Sequence, residues 1–508
     1  MNRTTMPLQS VKLSIKLIFW LFLFGSTLNH SLAEPPVLGK LYVGKASADI
    51  TPELPVALMG QFYLRIAEQV DTPLLANVLA ISTLEQEKEI SSVIFVACDL
   101  IFVPDILREE LVTALKGAAP EIDSNRVILT ATHTHTAPVL EDDPERSSFI
   151  YPIPKEEVVP VKAYRELFVR QVVPAIKEAY ANMQPAKVSW ATQRTAIGHN
   201  RRVSYADGTT QMYGNAAKDN FRELEGYEDH DLQSLFFWNA KGELIAICAL
   251  VACPAQVLEH LSSVNADYWH HVREKAKAKF GEQVLVLGWI GASGDLSPRP
   301  IYRKKASERM LKLSGYTLEE AIAEKVVSTL STSLETVKKD TYESLALAHS
   351  LVPLSLTKRK IKEDEYLEAK TNVENLEKEM SEKPETTANL YARKTWNASV
   401  VERYKEQQAG SQNGFESFMH IVRLGDIAIC TNQFELFTDY GIQIQARSPA
   451  LQTFVIQVAG SGSYLPTITA IDRGGYSAVI QSSVVGAEGG QELVNETVNR
   501  INAFWDGE

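Results

Sequence analysis

The 508-residue chain carries 51 Lys and Arg against 63 Asp and Glu, a net charge of -12, with an ordinary 45% of hydrophobic residues. That acidic balance argues against nucleic acid or an anionic membrane surface as the main partner, since both require clustered Lys and Arg to neutralise phosphate. The length is ample for a large core, as two or three domains or one large α/β unit.

Arg3, Lys12 and Lys16 precede the short apolar run Leu17 to Gly25, and Ser31-Leu-Ala33 supplies small residues of the kind a signal peptidase reads. The expectation is a secretory signal over 1–33, cleaved after Ala33, because the run falls short of the ~20 residues a spanning helix needs. No later segment is apolar for long enough to span. The mature chain, 34–508, is therefore expected to be soluble and secreted or periplasmic.

Strand-like runs follow at Leu41 to Ile50, Leu75 to Leu84, Ser91 to Cys98, Val127 to Thr132, Lys187 to Thr192, Leu244 to Val251, Val284 to Ile290, Ser344 to Val352, Met419 to Cys430 and Thr453 to Val458. Helical periods fill Asp105 to Lys116, Ala163 to Asn182, Tyr268 to Phe280 and Thr317 to Lys338. The alternation predicts an α/β fold: mixed β-sheets covered by helices, in a single large catalytic domain. Residues 358–408 break the rhythm. They are dense in Lys and Glu, with Pro384 between two helical patterns, and read as a charged helical-hairpin insertion with solvated faces rather than a lid over substrate. Cys98, Cys248 and Cys430 lie in apolar runs, where a free cysteine behaves as a small hydrophobe, so no disulfide framework is predicted.

Chemistry concentrates at strand ends. The run 127–132 leads into Thr132-His-Thr-His-Thr136, and if the strand continues, His133 and His135 at i and i+2 face the same side at the sheet's mouth. Cys253 ends another apolar run beside Pro254, where a thiolate would be a soft zinc ligand. The strand 284–290 enters the Gly-rich turn Gly291 to Pro298, which presents Ser297 as a candidate nucleophile. Glu435 follows the run ending at Cys430 and is flanked by Phe434 and Leu436, where a carboxylate needs a cation. Tyr464 lies in the turn Gly462 to Thr467, upstream of Gly474-Gly-Tyr476.

Taken together, Val43 to Pro52, Ala131-Thr-His-Thr-His-Thr-Ala-Pro138, Asn200-Arg201, Gly294-Asp-Leu-Ser-Pro298, Glu435-Leu-Phe-Thr438 and Tyr464-Leu-Pro-Thr467 resemble the neutral/alkaline (non-lysosomal) ceramidase family, in that family's order. The resemblance implies a zinc-dependent amide hydrolase that cleaves the N-acyl bond of ceramide or a related N-acyl lipid or amide. It implies zinc on His133, Glu435 and Tyr464, with His135 and Arg201 assisting at the carbonyl and Ser297 at the nucleophile's place. Where the family has a further zinc histidine, spacing places Cys253; the alternative is His260, seven residues on. Attack by Ser297 and attack by zinc-bound water both stay open. The family's additional C-terminal β-sandwich domain has no counterpart before Glu508. The expected partner is a small-molecule or lipid N-acyl substrate, met through transient contact with a membrane surface. The rival expectation is an exported binding protein that keeps the fold and has lost catalysis.

Overall fold

The computed structural model describes residues 37–506 other than 145, 146, 148 and 411–413. The signal sequence read at 1–33 lies outside the described residues. No helix among those described is long and apolar enough to cross a membrane.

Twelve strands of the described residues share one branched sheet: β1 (Leu38–Asp49), β2 (Leu75–Glu85), β3 (Lys88–Cys98), β4 (Val127–Ala131), β5 (Gln184–Arg194), β6 (Asp231–Asn239), β7 (Leu244–Val251), β8 (Leu285–Ile290), β9 (Ser344–Leu356), β10 (Phe415–Leu424), β11 (Ile427–Thr431) and β12 (Gln452–Ile456). The main path runs β8-β7-β6-β5-β1-β9-β10-β11-β12, and β2-β3-β4 branches from β1. The branch folds over the path. Alternate residues of β3 prove it, because Val93, Phe95 and Ala97 pack with Leu287, Trp289 and Phe454 of the main path. Their neighbours Ile94, Val96 and Cys98 face outward onto the helices Asp105–Ala118 and Val161–Ala181. Such division of a strand between two cores follows from its two-residue period.

The outer faces are covered by helices. Leu107, Leu111 and Leu115, spaced four apart, form the buried stripe of Asp105–Ala118. Helices Tyr268–Phe280 and Leu318–Val337 cover β6–β8, and Leu318–Val337 begins with a capping box in which Thr317 and Glu320 satisfy each other's backbone amides. The fold is therefore the predicted mixed α/β. β6 is a strand beyond those the sequence predicts, and the run Met419 to Cys430, expected as one strand, is a β10–β11 hairpin turned at Gly425, φ 60.

Three pairs in the sheet are parallel: β3–β4, β7–β8 and β11–β12. Each is joined through a helix, Asp105–Ala118, Tyr268–Phe280 and Thr438–Arg447 in turn. Ligand sites of such units lie beyond the carboxyl ends of the strands. Here those ends lead into His133, Gln256, Gly294, Glu435 and Tyr464.

The insertion forms two helices, Glu363–Glu382 and Thr387–Gln408. Tyr366 stacks on Tyr404 with centroids 4.3 Å apart, while Leu367 is exposed and Ala369 and Val400 are buried against Ile361 and Ile480. It is not a purely solvated face, since Trp396, Ser399 and Arg403 line the cavity that His133 and Glu435 also line.

Candidate active site

The two histidines converge, though not by continuing the strand. β4 ends at Ala131, and His133 takes a left-handed φ of 62, an uncommon conformation for a residue with a Cβ. Thr132 N–H donates to Cys98 O at 2.9 Å and Thr134 N–H to Leu100 O at 3.2 Å, which hold the bend from both sides. Strain retained by surrounding bonds is characteristic of functional sites. Val458, β-branched and at φ 52, is a second such residue just past β12.

Side-chain hydrogen bonds define the imidazoles. His133 Nδ1 lies 2.6 Å from Ile101 O, and His135 Nδ1 lies 2.9 Å from Gly60 O. A carbonyl accepts only, so both Nδ1 atoms carry protons and both Nε2 atoms turn inward. From there a closed ring of contacts can be traced. His133 Nε2 is 3.3 Å from His135 Nε2, which is 2.6 Å from Gln256 Nε2. Gln256 Oε1 accepts from Arg201 Nη1 at 3.4 Å, and Arg201 Nη2 donates to Tyr464 Oη at 3.1 Å. The Tyr464 hydroxyl hydrogen-bonds Glu435, whose Oε2 is 3.4 Å from His133 Nε2. Glu435 and Tyr464 are side by side because the two-residue strands Glu435–Leu436 and Tyr464–Leu465 pair in parallel.

Electrostatics sort the roles. Burial drives His135 well below the ordinary histidine range, and the His133, Arg65 and Arg201 charges push the same way, so it is neutral at pH 7. Burial opposes the charge of Glu435, but His133, Tyr464 and Arg201 outweigh it and hold the carboxyl below its ordinary value. Burial likewise opposes Arg201, yet Tyr464, Tyr213 and Glu435 keep it firmly cationic. Arg201 Nε is buried with no hydrogen-bond partner, a spare donor beside the ring. Tyr464 is raised well above the phenol range, mainly by burial and then by Glu435, and stays protonated.

His133, His135, Glu435 and Tyr464 line a cavity of ≈ 310 Å³. Its apolar wall includes Phe102, Phe149, Tyr151, Trp396, Phe415 and Tyr476. Tyr476 packs edge-on against Tyr464 with ring centroids 5.6 Å apart, and Phe62 and Trp396 complete the aromatic cluster.

Three sequence expectations fail here. Cys253 is not at the ring: its Sγ is turned to Ile197 O at 3.5 Å and Pro254 O at 3.7 Å. Burial pushes this thiol up. His260 is no substitute, since it is exposed and does not line the cavity. Ser297 is fully buried but outside the cavity lining, and its Oγ accepts from Arg299 N–H at 3.1 Å and Tyr213 O–H at 3.1 Å. That is a turn-forming hydroxyl. The side chain that reaches the ring from this turn is Gln256, three residues on, as a hydrogen-bond partner of His135 and Arg201; a glutamine past a Pro turn carries no motif that sequence alone would single out.

The residues fit a metal with three donors: imidazole nitrogen, carboxylate and phenol oxygen on His133, Glu435 and Tyr464. Nitrogen and oxygen donors of this kind suit zinc, and three protein ligands leave room for substrate. A fourth ligand from Cys253 is excluded by its position.

No family model matches the sequence, and no curated protein matches it. Solved structures that share the fold include two ceramidases. A ceramidase complexed with C2 superposes with a TM-score of 0.66 at 13% identity, covering 92% of this chain and 76% of that one. The neutral ceramidase from Pseudomonas aeruginosa gives 0.64 at 14% identity, covering 91% and 75%. The fold is ceramidase-like.

Proposed function

We propose that the chain hydrolyses the N-acyl bond of an amide of the ceramide type, as an exported, zinc-dependent enzyme. The observation that supports this most is the closed ring from His133 to Glu435 at the carboxyl ends of three parallel-strand units, on a fold shared with ceramidases. His133, Glu435 and Tyr464 would hold the zinc, which when bound polarises a carbonyl and lowers the pKa of water.

The remaining groups supply acid–base and charge chemistry. Neutral His135, its Nδ1 proton fixed on Gly60 O, offers Nε2 to accept a proton from the attacking water and return it to the leaving amine. Arg201, held cationic and bonded to Tyr464 Oη, would lend its charge to the negative charge developing on the carbonyl oxygen. Arg65 holds His135 in place by donating from Nη2 to the His135 carbonyl at 2.5 Å and to Met59 O at 2.6 Å. Water, rather than Ser297, is the nucleophile in this reading, because the Ser297 hydroxyl is committed to its own turn. The cavity, at ≈ 310 Å³, lies at the small end of the ~300–1,000 Å³ typical of ligand pockets. It accommodates one apolar arm of an N-acyl substrate against the aromatic wall, with the remainder toward solvent.

A second reading, a binding protein without turnover, draws on one observation. The Gln256 amide already donates to His135 Nε2, the atom the mechanism needs as base. One experiment separates them. Purified chain, zinc-loaded and chelated, is given N-acyl amides of increasing chain length, with Glu435→Gln as the control. Turnover that disappears on chelation and in the variant supports hydrolysis; saturable binding without turnover supports the second reading.

A further inference from the structure

Among the described residues, one group of His, Cys, Asp and Glu side chains brings three ligand atoms within 4.8 Å of one another, and it is not the ring. It consists of His199, Glu228 and His230. We propose that these residues form a second metal site, for zinc or a similar divalent d-block ion, which fastens the short strand His199–Asn200 immediately before Arg201.

The geometry is that of two imidazoles around one carboxylate oxygen. Glu228 Oε2 lies 3.2 Å from His230 Nε2 and 3.7 Å from His199 Nδ1. Donors at 2.0–2.2 Å from a tetrahedral zinc stand roughly 3.3 Å apart, so the three need little movement to close on an ion. Glu228 and His230 are two residues apart, and the strand pairing of β6 extends back to His230. The extension is real beyond the strand's start, because Thr195 N–H donates to His230 O at 2.7 Å. The imidazole rings, 6.2 Å apart and inclined at 71°, fan around the carboxylate and do not stack.

A second observation points to a ligand. His230 Nε2 is buried and has no hydrogen-bond partner, although a carboxylate oxygen is 3.2 Å away. A buried nitrogen left this way is costly unless something else satisfies it. The carboxylate is also prepared. Its Oε1 accepts from Asn200 N–H at 3.0 Å, leaving Oε2 for the imidazoles, the kind of outer-shell bond that orients metal ligands. Two imidazoles favour zinc and its neighbours over magnesium or calcium, which prefer all-oxygen sites. All three side chains are partly exposed, so an ion can enter from solvent.

The consequence reaches the ring through the backbone. His199 and Asn200 pair with Ser297 and Leu296, and Arg201 N–H donates to Asp295 O at 3.0 Å. Asn200 Nδ2 donates to Asp295 Oδ2 at 2.9 Å, and Asp295 Oδ1 accepts from Thr438 N–H at 2.9 Å. An ion on His199 would tie this ribbon to the start of β6, two residues before Arg201. Its role is to position, and it needs no contact with substrate.

The test uses the full mature chain, stripped of metal and titrated with Zn²⁺, then with Co²⁺ as a visible-absorbing probe. Glu228→Gln and His230→Asn address this site, and His133→Ala addresses the ring. The expected result is one equivalent of Zn²⁺ that Glu228→Gln and His230→Asn each weaken at least roughly 100-fold while His133→Ala leaves it intact, together with a Zn²⁺-induced rise in Tm that the first two variants lose. Melting of the metal-free variants, compared with metal-free wild type, separates loss of metal from failure to fold. Zinc stoichiometry and affinity unchanged in a folded Glu228→Gln variant would overturn the proposal, as would all zinc binding being lost with His133→Ala.

Discussion

Asp99, the residue following β3, offers the sharpest test of how the fold holds the ring. Its side chain is 0% exposed and pairs bidentately with Arg273, at 2.6 Å to Nη1 and 2.7 Å to Nη2. The same carboxylate accepts from Leu75 N–H at 2.9 Å and from Thr132 Oγ1 at 3.1 Å, immediately before His133. Asp99→Asn keeps the shape and removes the charge, leaving a guanidinium whose side chain is only 5% exposed without a counterion. Breaking a buried pair from one side costs about 3–5 kcal/mol, which is two to three or more powers of ten in the folding constant. Replacing both partners, as Asp99→Leu with Arg273→Met, should recover much of that loss. Recovery should stop about 1–3 kcal/mol short, since the Leu75 amide then has no acceptor. Urea unfolding of wild type, single and double variants, followed by circular dichroism, measures all three. A cost below about 1 kcal/mol for Asp99→Asn, or a double variant no better than the single, would refute the reasoning.

Other outcomes follow from individual side chains. Burial pushes His349 down to about 4, with the Arg126 charge adding to it, and His349 Nε2 is 3.0 Å from His420 Nδ1, itself well below its ordinary value from burial, His349 and Arg108. Such a group stays neutral in the fold while the unfolded imidazole takes a proton near pH 6.5, so its stability is full above that pH. It is lost as pH falls toward 4, by up to about 3 kcal/mol, and His349→Gln should flatten ΔG against pH in that window; an unchanged slope removes the pair from the acid response. Cys253→Ser should leave zinc affinity within about twofold, whereas a loss beyond tenfold would restore the thiol as a ligand. Trp396→Ala should raise KM for apolar N-acyl amides about tenfold with little change in Tm, because it lines the cavity from a helix largely outside the core; equal KM would take the insertion away from substrate.

The fold was largely legible because its strands are buried on both faces and therefore read as continuous apolar runs, as β3, β4 and β7 do. β6 was passed over although it is equally buried, since Asp231, Gln233 and Ser234 dilute its run and their partners lie across the sheet at Arg194, Thr192 and Ala191. The insertion's helices were visible in their charge pattern, but the face of Thr387–Gln408 that meets the cavity was not. Trp396 is one aromatic among polar neighbours, and only the packing of Phe62, Tyr476 and Trp396 gives it a purpose.

The site was legible wherever a residue type carries its chemistry with it, and illegible wherever a turn decides. His133, His135 and Glu435 are ionisable side chains that follow apolar strands, Arg201 and Tyr464 came from the family resemblance, and the structure brings all five into one ring. Between Val251 and Asp267 the sequence offers Cys253, Gln256, Glu259 and His260, and no rule of spacing ranks them. The turn does. Asp267, at φ 51, accepts from Leu258 N–H at 2.7 Å and so draws the chain back four residues after Pro254. Cys253 then remains with the core of β7, where Tyr268 Oη donates to its carbonyl at 2.6 Å, and Gln256 is the side chain that reaches His135. A neutral amide there donates to the imidazole and accepts from Arg201 at once. The substitution that spacing assigned to the metal shell thus belongs to hydrogen bonding between the base and the cation.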